Sequence, residues 1–161
     1  ELHELHPRVD MIPFESEHMF RATLHDGVKE RLIYQVGAME RLLERCADQL
    51  DERGDLEPLD AARIRHAAED MAARGLRVLA MARRHTHSGH DRLAHADVAG
   101  GLTFLGLQGM IDPPRPEAIA AVAECQSAGI RVKMITGDHA LTARAIARQI
   151  GLRGDERGEL R

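Results

Sequence analysis

The segment with the clearest chemical potential is Thr136-Gly137-Asp138, where an apolar run ends and a helical pattern begins. In an open parallel sheet, ligands bind at the carboxyl ends of the strands, to which the next helix directs its free N–H groups and positive dipole. The threonine hydroxyl can donate to a phosphate oxygen, the glycine lets a phosphate approach the backbone, and the aspartate can orient water around Mg²⁺. The same three residues could also serve only as turn and helix-capping residues.

The elements around this segment follow the order helix, strand, helix. The apolar spacing predicts a helix that ends at Gly129, then a buried strand, then a helix that ends at Gly151, over residues 117–128, 130–135 and 140–150. This order is half of a doubly wound α/β domain. Three prolines lie within Asp112-Pro113-Pro114-Arg115-Pro116 and form a stiff joint. We therefore place a domain boundary between residues 110 and 111.

The residues before this joint mix strand and helix patterns. Extended segments are predicted at 11–14, 19–24, 29–35, 76–82 and 102–107, and Asp26-Gly27 is a hairpin turn signal between the second and third. Helices are predicted at 38–46 and 58–74, with Gly75 as the C-cap glycine of the second. The charged segment 51–55 is predicted to be a loop.

The composition excludes several classes of protein. Apolar residues make up 43% and charged residues 30%, which is typical of a globular chain. A net charge of -4 and 2% aromatic residues give no basis for nucleic-acid binding. Cys46 and Cys125 are outside any CxxC spacing and are interpreted as structural thiols on helix faces, in a reducing compartment. The longest apolar run, at 118–123, is too short to span a bilayer, so the 161-residue chain is not expected to contact a membrane.

Four longer motifs resemble one family. The stretch "AGIRVKMITGDHALTARAIARQIGL", with "DPPRPE" before it, closely resembles the P-type cation-transporting ATPases. Upstream, "IPFESE", "VGAMERLLERC" and "ARGLRVLAMARR" resemble the family's adenine-pocket segment, its "KGAPE" helix start and its "GLRxLA" strand, in the family's order. The resemblance covers residues 9–152. It implies α/β architecture: over 1–110 an α+β nucleotide-binding domain, incomplete at its N-terminus, with an antiparallel sheet flanked by helices, and over 111–161 part of a haloacid-dehalogenase-like phosphorylation domain.

The resemblance also implies the activity of a longer protein. In this family ATP hydrolysis drives cation transport across a membrane, with ATP and Mg²⁺ as cofactors. The family's phosphorylated "DKTGT" aspartate and its magnesium-binding "GDGxND" do not occur here. We therefore expect a fragment without catalytic residues, from the cytoplasmic part of an integral membrane protein, whose partners are the actuator and transmembrane domains.

Four residues of the first domain match nucleotide contacts in the resembled family. The resemblance implies that Phe14 stacks on adenine and that Glu17 faces the adenine edge. It also implies that Gly37 allows close approach of the nucleotide and that Arg77 reaches the phosphates. The simpler alternatives are a core phenylalanine, a solvated carboxylate, a permissive turn and a surface salt bridge.

Five residues match the hinge and the phosphate site. Asp112 and Arg115 flank the prolines, and the resemblance places them at the hinge, near the ribose and phosphates; Asp112 could instead only cap a helix. By the same resemblance, Thr136, Gly137 and Asp138 receive the γ-phosphate region.

Two lysines of the resembled pattern are absent. The family usually has a lysine where Met19 stands, a methionine near Arg21, and the lysine of "KGA" where Val36 stands. Losing two cations beside a triphosphate weakens binding, or else Arg21 replaces them. The alternative function is a haloacid-dehalogenase-like phosphatase relative or a non-catalytic regulatory nucleotide-binding module. Absence of a "DxDx" string argues against the phosphatase.

Four histidines of one segment could bind a divalent metal ion in vitro. His85, His87, His90 and His95 are close in sequence within a polar segment that is predicted to be a loop. Because no cysteine or carboxylate stands at a ligand spacing beside them, the sequence predicts no metal site.

Overall fold

The computed structural model describes residues 5–27, 29–111, 113–137 and 140–152. The elements in chain order are β1 (Arg8–Glu15), β2 (Phe20–His25), β3 (Arg31–Gly37), α1 (Met39–Leu43), β4 (Cys46–Leu50), β5 (Leu56–Pro58), α2 (Ala61–Ala73), β6 (Arg77–Thr86), a 3-10 turn (His95–Val98), β7 (Leu102–Met110), α3 (Pro116–Ser127) and α4 (Ala140–Gln149).

One seven-stranded sheet has the order β1-β2-β3-β6-β7-β4-β5. The pairs β1–β2, β2–β3, β3–β6 and β4–β5 are antiparallel, which confirms the predicted mixed fold and its hairpin at residues 19–35. The β4–β7 pair is parallel. The sheet is therefore mixed and not purely antiparallel as expected.

The chain divides into two compact units. Unit 1 comprises residues 1–65 and 78–108, and unit 2 comprises residues 66–77 and 109–161. The functional boundary between residues 110 and 111 stays a prediction.

The core of unit 1 lies on one face of the sheet. Alternate residues of β2 and β3 are buried there, because successive side chains of a strand point to opposite faces. Leucines of α1 and Ile64 of α2 complete the same cluster; its members include Phe20, Leu24, Ile33, Leu42, Leu43, Ile64, Val98 and Leu102. The alternate side chains of β3, on the opposite face, are only partly buried. This second face is called the open face below.

Two predictions for unit 1 were wrong in detail. The helix predicted over 38–46 ends at Leu43, and Cys46 begins β4, which pairs with β7. Long-range pairing thus overrides the local helical pattern. Burial raises the pKa of the Cys46 thiol to about 11, as suits a structural thiol. The strand predicted over 76–82 continues to Thr86, because its last residues pair with β3. His85 therefore lies in a strand, not in a loop.

The strand predicted at 130–135 in unit 2 is not formed. Ile130 is 57% exposed and Ile135 is 98% exposed. A parallel strand needs neighbouring strands, and the sheet formed by the described residues does not include this segment. The two helices are confirmed: α3 and α4 lead to Gly129 (φ 75) and Gly151 (φ 78), in the left-handed conformation expected after a helix. The haloacid-dehalogenase-like architecture thus stays a prediction.

Candidate nucleotide-binding site

Phe14 is an exposed aromatic side chain near the end of β1. It is 61% exposed, so the alternative of a core phenylalanine is wrong. The register of β1 against β2 is irregular between Ile12 and Glu15, which is the irregularity that a bulge produces. A large apolar side chain held outside the core is available to contact a ligand.

Arg21, Val36 and Met81 form a row across β2, β3 and β6. Val36 is the Cα partner of Arg21 on one side and of Met81 on the other. Side chains of directly paired residues have Cβ atoms about 4.5–5.5 Å apart. Arg21 is exposed and Val36 is partly buried. The row therefore places one cation beside the position where the resembled pattern has its lysine.

Gly37 is required by a close backbone approach. A Cβ atom at this position would lie 2.6 Å from the Cβ and 2.7 Å from the Cα of Phe20, its partner in the β2–β3 pair. The next amide, from Ala38, donates a hydrogen bond of 2.9 Å to the carbonyl of Met19. Met19 has φ 56, which is unusual for a residue with a side chain. Gly37 is the last residue of β3 and is not among the glycines with positive φ, so the close approach of Phe20, and not a permissive turn, excludes a side chain here.

Arg83 is a further cation on the open face that the motifs did not indicate. It pairs with Tyr34, which is two residues before Val36 in β3 and on the same face, and it is partly buried. The alternation of β6, with Ala80 and Ala82 buried, is the signal that could have placed Arg83 on this face. Glu17 lies in the turn between β1 and β2 and is exposed.

The remaining candidate residues belong to unit 2 or lie outside the described residues. Arg77 begins β6, and Arg115 occupies the N-cap position of α3; both are exposed. Thr136 and Gly137 are exposed and follow residues 130–135, which form no strand. Two of the predicted residues, Asp112 and Asp138, are not among the described residues. The roles predicted for all these residues stay predictions.

The four histidines predicted as one loop have different surroundings. His85 lies 2.7 Å from the Glu30 carboxylate, across the β3–β6 region. His90 lies 3.1 Å from the Asp97 carboxylate, and the ring of His87 packs against that of His90. His95, which begins the 3-10 turn, instead packs against residues of the β1–β2 turn.

The segment before the 3-10 turn is fixed to the sheet by long-range hydrogen bonds. Asp10 of β1 accepts the Leu93 N–H at 2.9 Å and the Met11 N–H at 2.8 Å, and these bonds lower the pKa of its carboxyl group. Arg31 of β3 donates to the His90 carbonyl at 2.7 Å. The turn that carries His95 is therefore anchored at its entrance.

In the part of the chain that the structure describes, no helix has the length and apolar character needed to cross a membrane.

The fold and the motifs define a domain of the P-type ATPases. The family model for the cytoplasmic domain N of P-type ATPases matches residues 1–117, so the chain belongs to this family. Among curated relatives, the cation-transporting ATPase pma1 of Synechocystis sp. is 53% identical over 152 residues, which cover 94% of this chain and 17% of the relative. The probable cation-transporting ATPase F of Mycobacterium bovis is 47% identical over 146 residues, which cover 91% of this chain and 16% of the relative. The calcium-transporting ATPase 1 of Bacillus cereus is 39% identical over 157 residues, which cover 96% of this chain and 17% of the relative. The chain thus spans about a sixth of the length of these relatives.

Proposed function

We propose that unit 1 binds ATP on the open face of the sheet, with Phe14 stacked on adenine and Arg21 directed to the phosphates. The observation that carries this proposal is the 61% exposure of Phe14 at the irregular end of β1, two strands from Gly37. An exposed aromatic ring offers about 1–3 kcal/mol of stacking energy to a base. Glu17, in the following turn, is the candidate for the adenine edge.

Arg21 supplies the cation that Val36 does not. The two residues are direct partners on neighbouring strands, so a guanidinium at position 21 covers the surface that a lysine at position 36 would cover. A guanidinium is well suited to phosphate because its N–H groups form bidentate hydrogen bonds. The cation has thus moved by one strand, and the pocket remains competent without the usual lysine.

Mg²⁺ enters this site as a complex with ATP. The row on the open face contains a cation and apolar residues but no carboxylate, so it fits phosphate and not a bare magnesium ion. Asp138, Thr136 and Gly137 are the candidates for the γ-phosphate end, and Asp112 and Arg115 for the hinge. Arg77 is the candidate for a phosphate contact in the closed pump.

The complete protein is proposed to couple ATP hydrolysis to cation transport across a membrane. Its cytoplasmic unit 1 would deliver ATP to an aspartate that this sequence does not contain, and the actuator and transmembrane domains would be its partners. The 161-residue chain alone should therefore hydrolyse no ATP above background. Hydrolysis that persists through repurification would contradict this assignment.

The test of the nucleotide site is an ATP titration by calorimetry. Phe14→Ala should weaken ATP binding about tenfold, near 1.4 kcal/mol, while the fold persists. Leu56→Ala is the control, because Leu56 is another exposed apolar residue, at 67% exposure, in the strand β5 at the opposite edge of the sheet. Equal affinities for ATP in the parent and in Phe14→Ala would reject the stacking role.

A further inference from the structure

Glu15, His18 and His95 bring three metal-ligating groups together in unit 1. Their ligand atoms all lie within 4.8 Å of one another, and the His18 Nε2 atom is 3.4 Å from the Glu15 Oε2 atom. The imidazole rings of His18 and His95 have centroids 4.5 Å apart. Glu15 is the last residue of β1 and His18 lies in the turn that follows, whereas His95 comes from the distant 3-10 turn.

The spacing fits a small divalent ion. A tetrahedral zinc site with bonds of about 2.0–2.1 Å has ligand atoms about 3.4 Å apart, which is the His18–Glu15 separation. The ligand nitrogen of His95 lies within 4.8 Å of the other two ligand atoms, so a side-chain rotation can bring it to the same ion. Two imidazoles and one carboxylate, with a position left for water, form a ligand set typical of Zn²⁺.

The two turns that carry the ligands are held in place by the backbone. Amides of His18 and Met19 donate to the Glu15 carbonyl, at 3.1 Å and 2.8 Å, so the turn brings the first two ligands together. On the other side, Val98 of the 3-10 turn is fully buried, which anchors the segment that carries His95. The ring of Phe20 lies under both histidines, with centroids 5.9 Å and 6.1 Å away. Phe20 thus packs close to both histidines, and its ring is also approached by the Arg45 guanidinium, 4.3 Å from the ring centroid.

We infer that Glu15, His18 and His95 bind a zinc-type divalent ion, which links the β1–β2 turn to the 3-10 turn. This site is chemically distinct from magnesium bound with ATP, because Mg²⁺ prefers oxygen ligands and imidazole selects zinc-like ions. Its occupancy joins two segments that are far apart in sequence. An ion that binds the folded state but not the unfolded state raises thermal stability by mass action.

The experiment is a titration of the whole chain with ZnCl₂ in the absence of nucleotide, so its outcome does not depend on ATP binding. His18→Gln and His95→Gln should each weaken the tightest zinc site about tenfold or more, and Glu15→Ala should weaken it as well. His66→Gln is the matched control, because His66 is 78% exposed and 3.6 Å from the Asp70 carboxylate, a common surface pair. Far-UV circular dichroism without zinc checks that every variant is folded.

A second readout is the melting temperature. Zinc should raise the melting temperature of the parent and of His66→Gln, but not that of His95→Gln. Zinc affinity unchanged in either histidine variant would overturn the three-ligand site. An equal loss in His66→Gln would show that zinc binds surface histidines without preference, and would overturn it as well.

Discussion

Moving the positive charge from Arg21 to position 36 tests the proposed nucleotide site most directly. Three variants are needed: Arg21→Met, Val36→Lys and the double variant. The first removes the only cation of the Arg21–Val36–Met81 row, the second adds another, and the double variant returns the charge to the usual place in the family. If the two positions serve the same phosphates, the double variant should bind ATP about as tightly as the parent.

The expected magnitudes follow from charge-assisted hydrogen bonds. One such bond contributes about 1.5–3 kcal/mol, so Arg21→Met should weaken ATP binding roughly 10- to 100-fold. Val36→Lys should strengthen it, but a lysine directly opposite Arg21 places two like charges on paired positions, which destabilises the free protein by up to about 1 kcal/mol. Val36→Lys should therefore show higher ATP affinity together with lower stability without ATP.

The assay is calorimetric titration with ATP at low and high salt. Gains and losses that arise from charge should shrink with added salt, because the screening length falls from about 10 Å at 0.1 M to about 3 Å at 1 M. Arg63→Met, which removes an exposed arginine from α2, is the control for the change in net charge. If Arg21→Met binds ATP like the parent and Val36→Lys gains nothing at low salt, the nucleotide does not contact this row.

Three other predictions concern stability. Gly37→Ala should lower the free energy of unfolding by roughly 1–3 kcal/mol, since its Cβ would overlap Phe20; unchanged chemical denaturation would contradict the close approach. Asp10→Asn should be less stable than the parent at neutral pH. Because the folded-state pKa of Asp10 is lowered, its contribution is present above the unfolded pKa and is lost as the pH falls through the folded pKa, so the difference should narrow below about pH 4 in melting curves. Gln35→Leu should stabilise the fold by about 1–3 kcal/mol in urea denaturation, since the buried Gln35 amide has no hydrogen-bond partner among the described residues; a loss of stability would show that the amide is paired.

Local pattern predicted the elements whose stability is local. The strands of the β2–β3 hairpin have alternating burial and are joined by a short loop, and α2 is followed by Gly75 with φ 84, so both could be predicted without knowledge of the rest of the fold. The strands β4 and β5 could not, because they are short, carry polar residues and depend on pairing with each other and with the distant β7. Contacts between remote segments leave little trace in local periodicity.

The residues of the candidate site were likewise predictable only where a local motif marks them. Motifs pointed to Phe14 and Gly37, but the sequence could not show that Arg21 stands directly opposite Val36. That pairing depends on the register of the hairpin, which is set by the length and geometry of its loop. The histidines show the same limit, since Glu15 and His18 approach His95 in space although they are far from it in sequence.

Next to the proposed site, β3 buries a polar side chain and leaves an apolar one on the open face. Gln35 is fully buried between Ala22 and Ala82, whereas the apolar Val36 occupies the open face. A shift of β3 by one residue would place the Val36 side chain in the core and the Gln35 amide on the open face. Judged only by the burial of these two side chains, the shifted register would be more favourable than the observed one. Gly37 opposes the slip, because the position against Phe20 has no space for a side chain. The close approach of Gly37 to Phe20 thus acts together with the hairpin loop to favour this register, although the buried Gln35 amide has no hydrogen-bond partner among the described residues. The same register brings Arg21 opposite Val36, in the row proposed to bind phosphate.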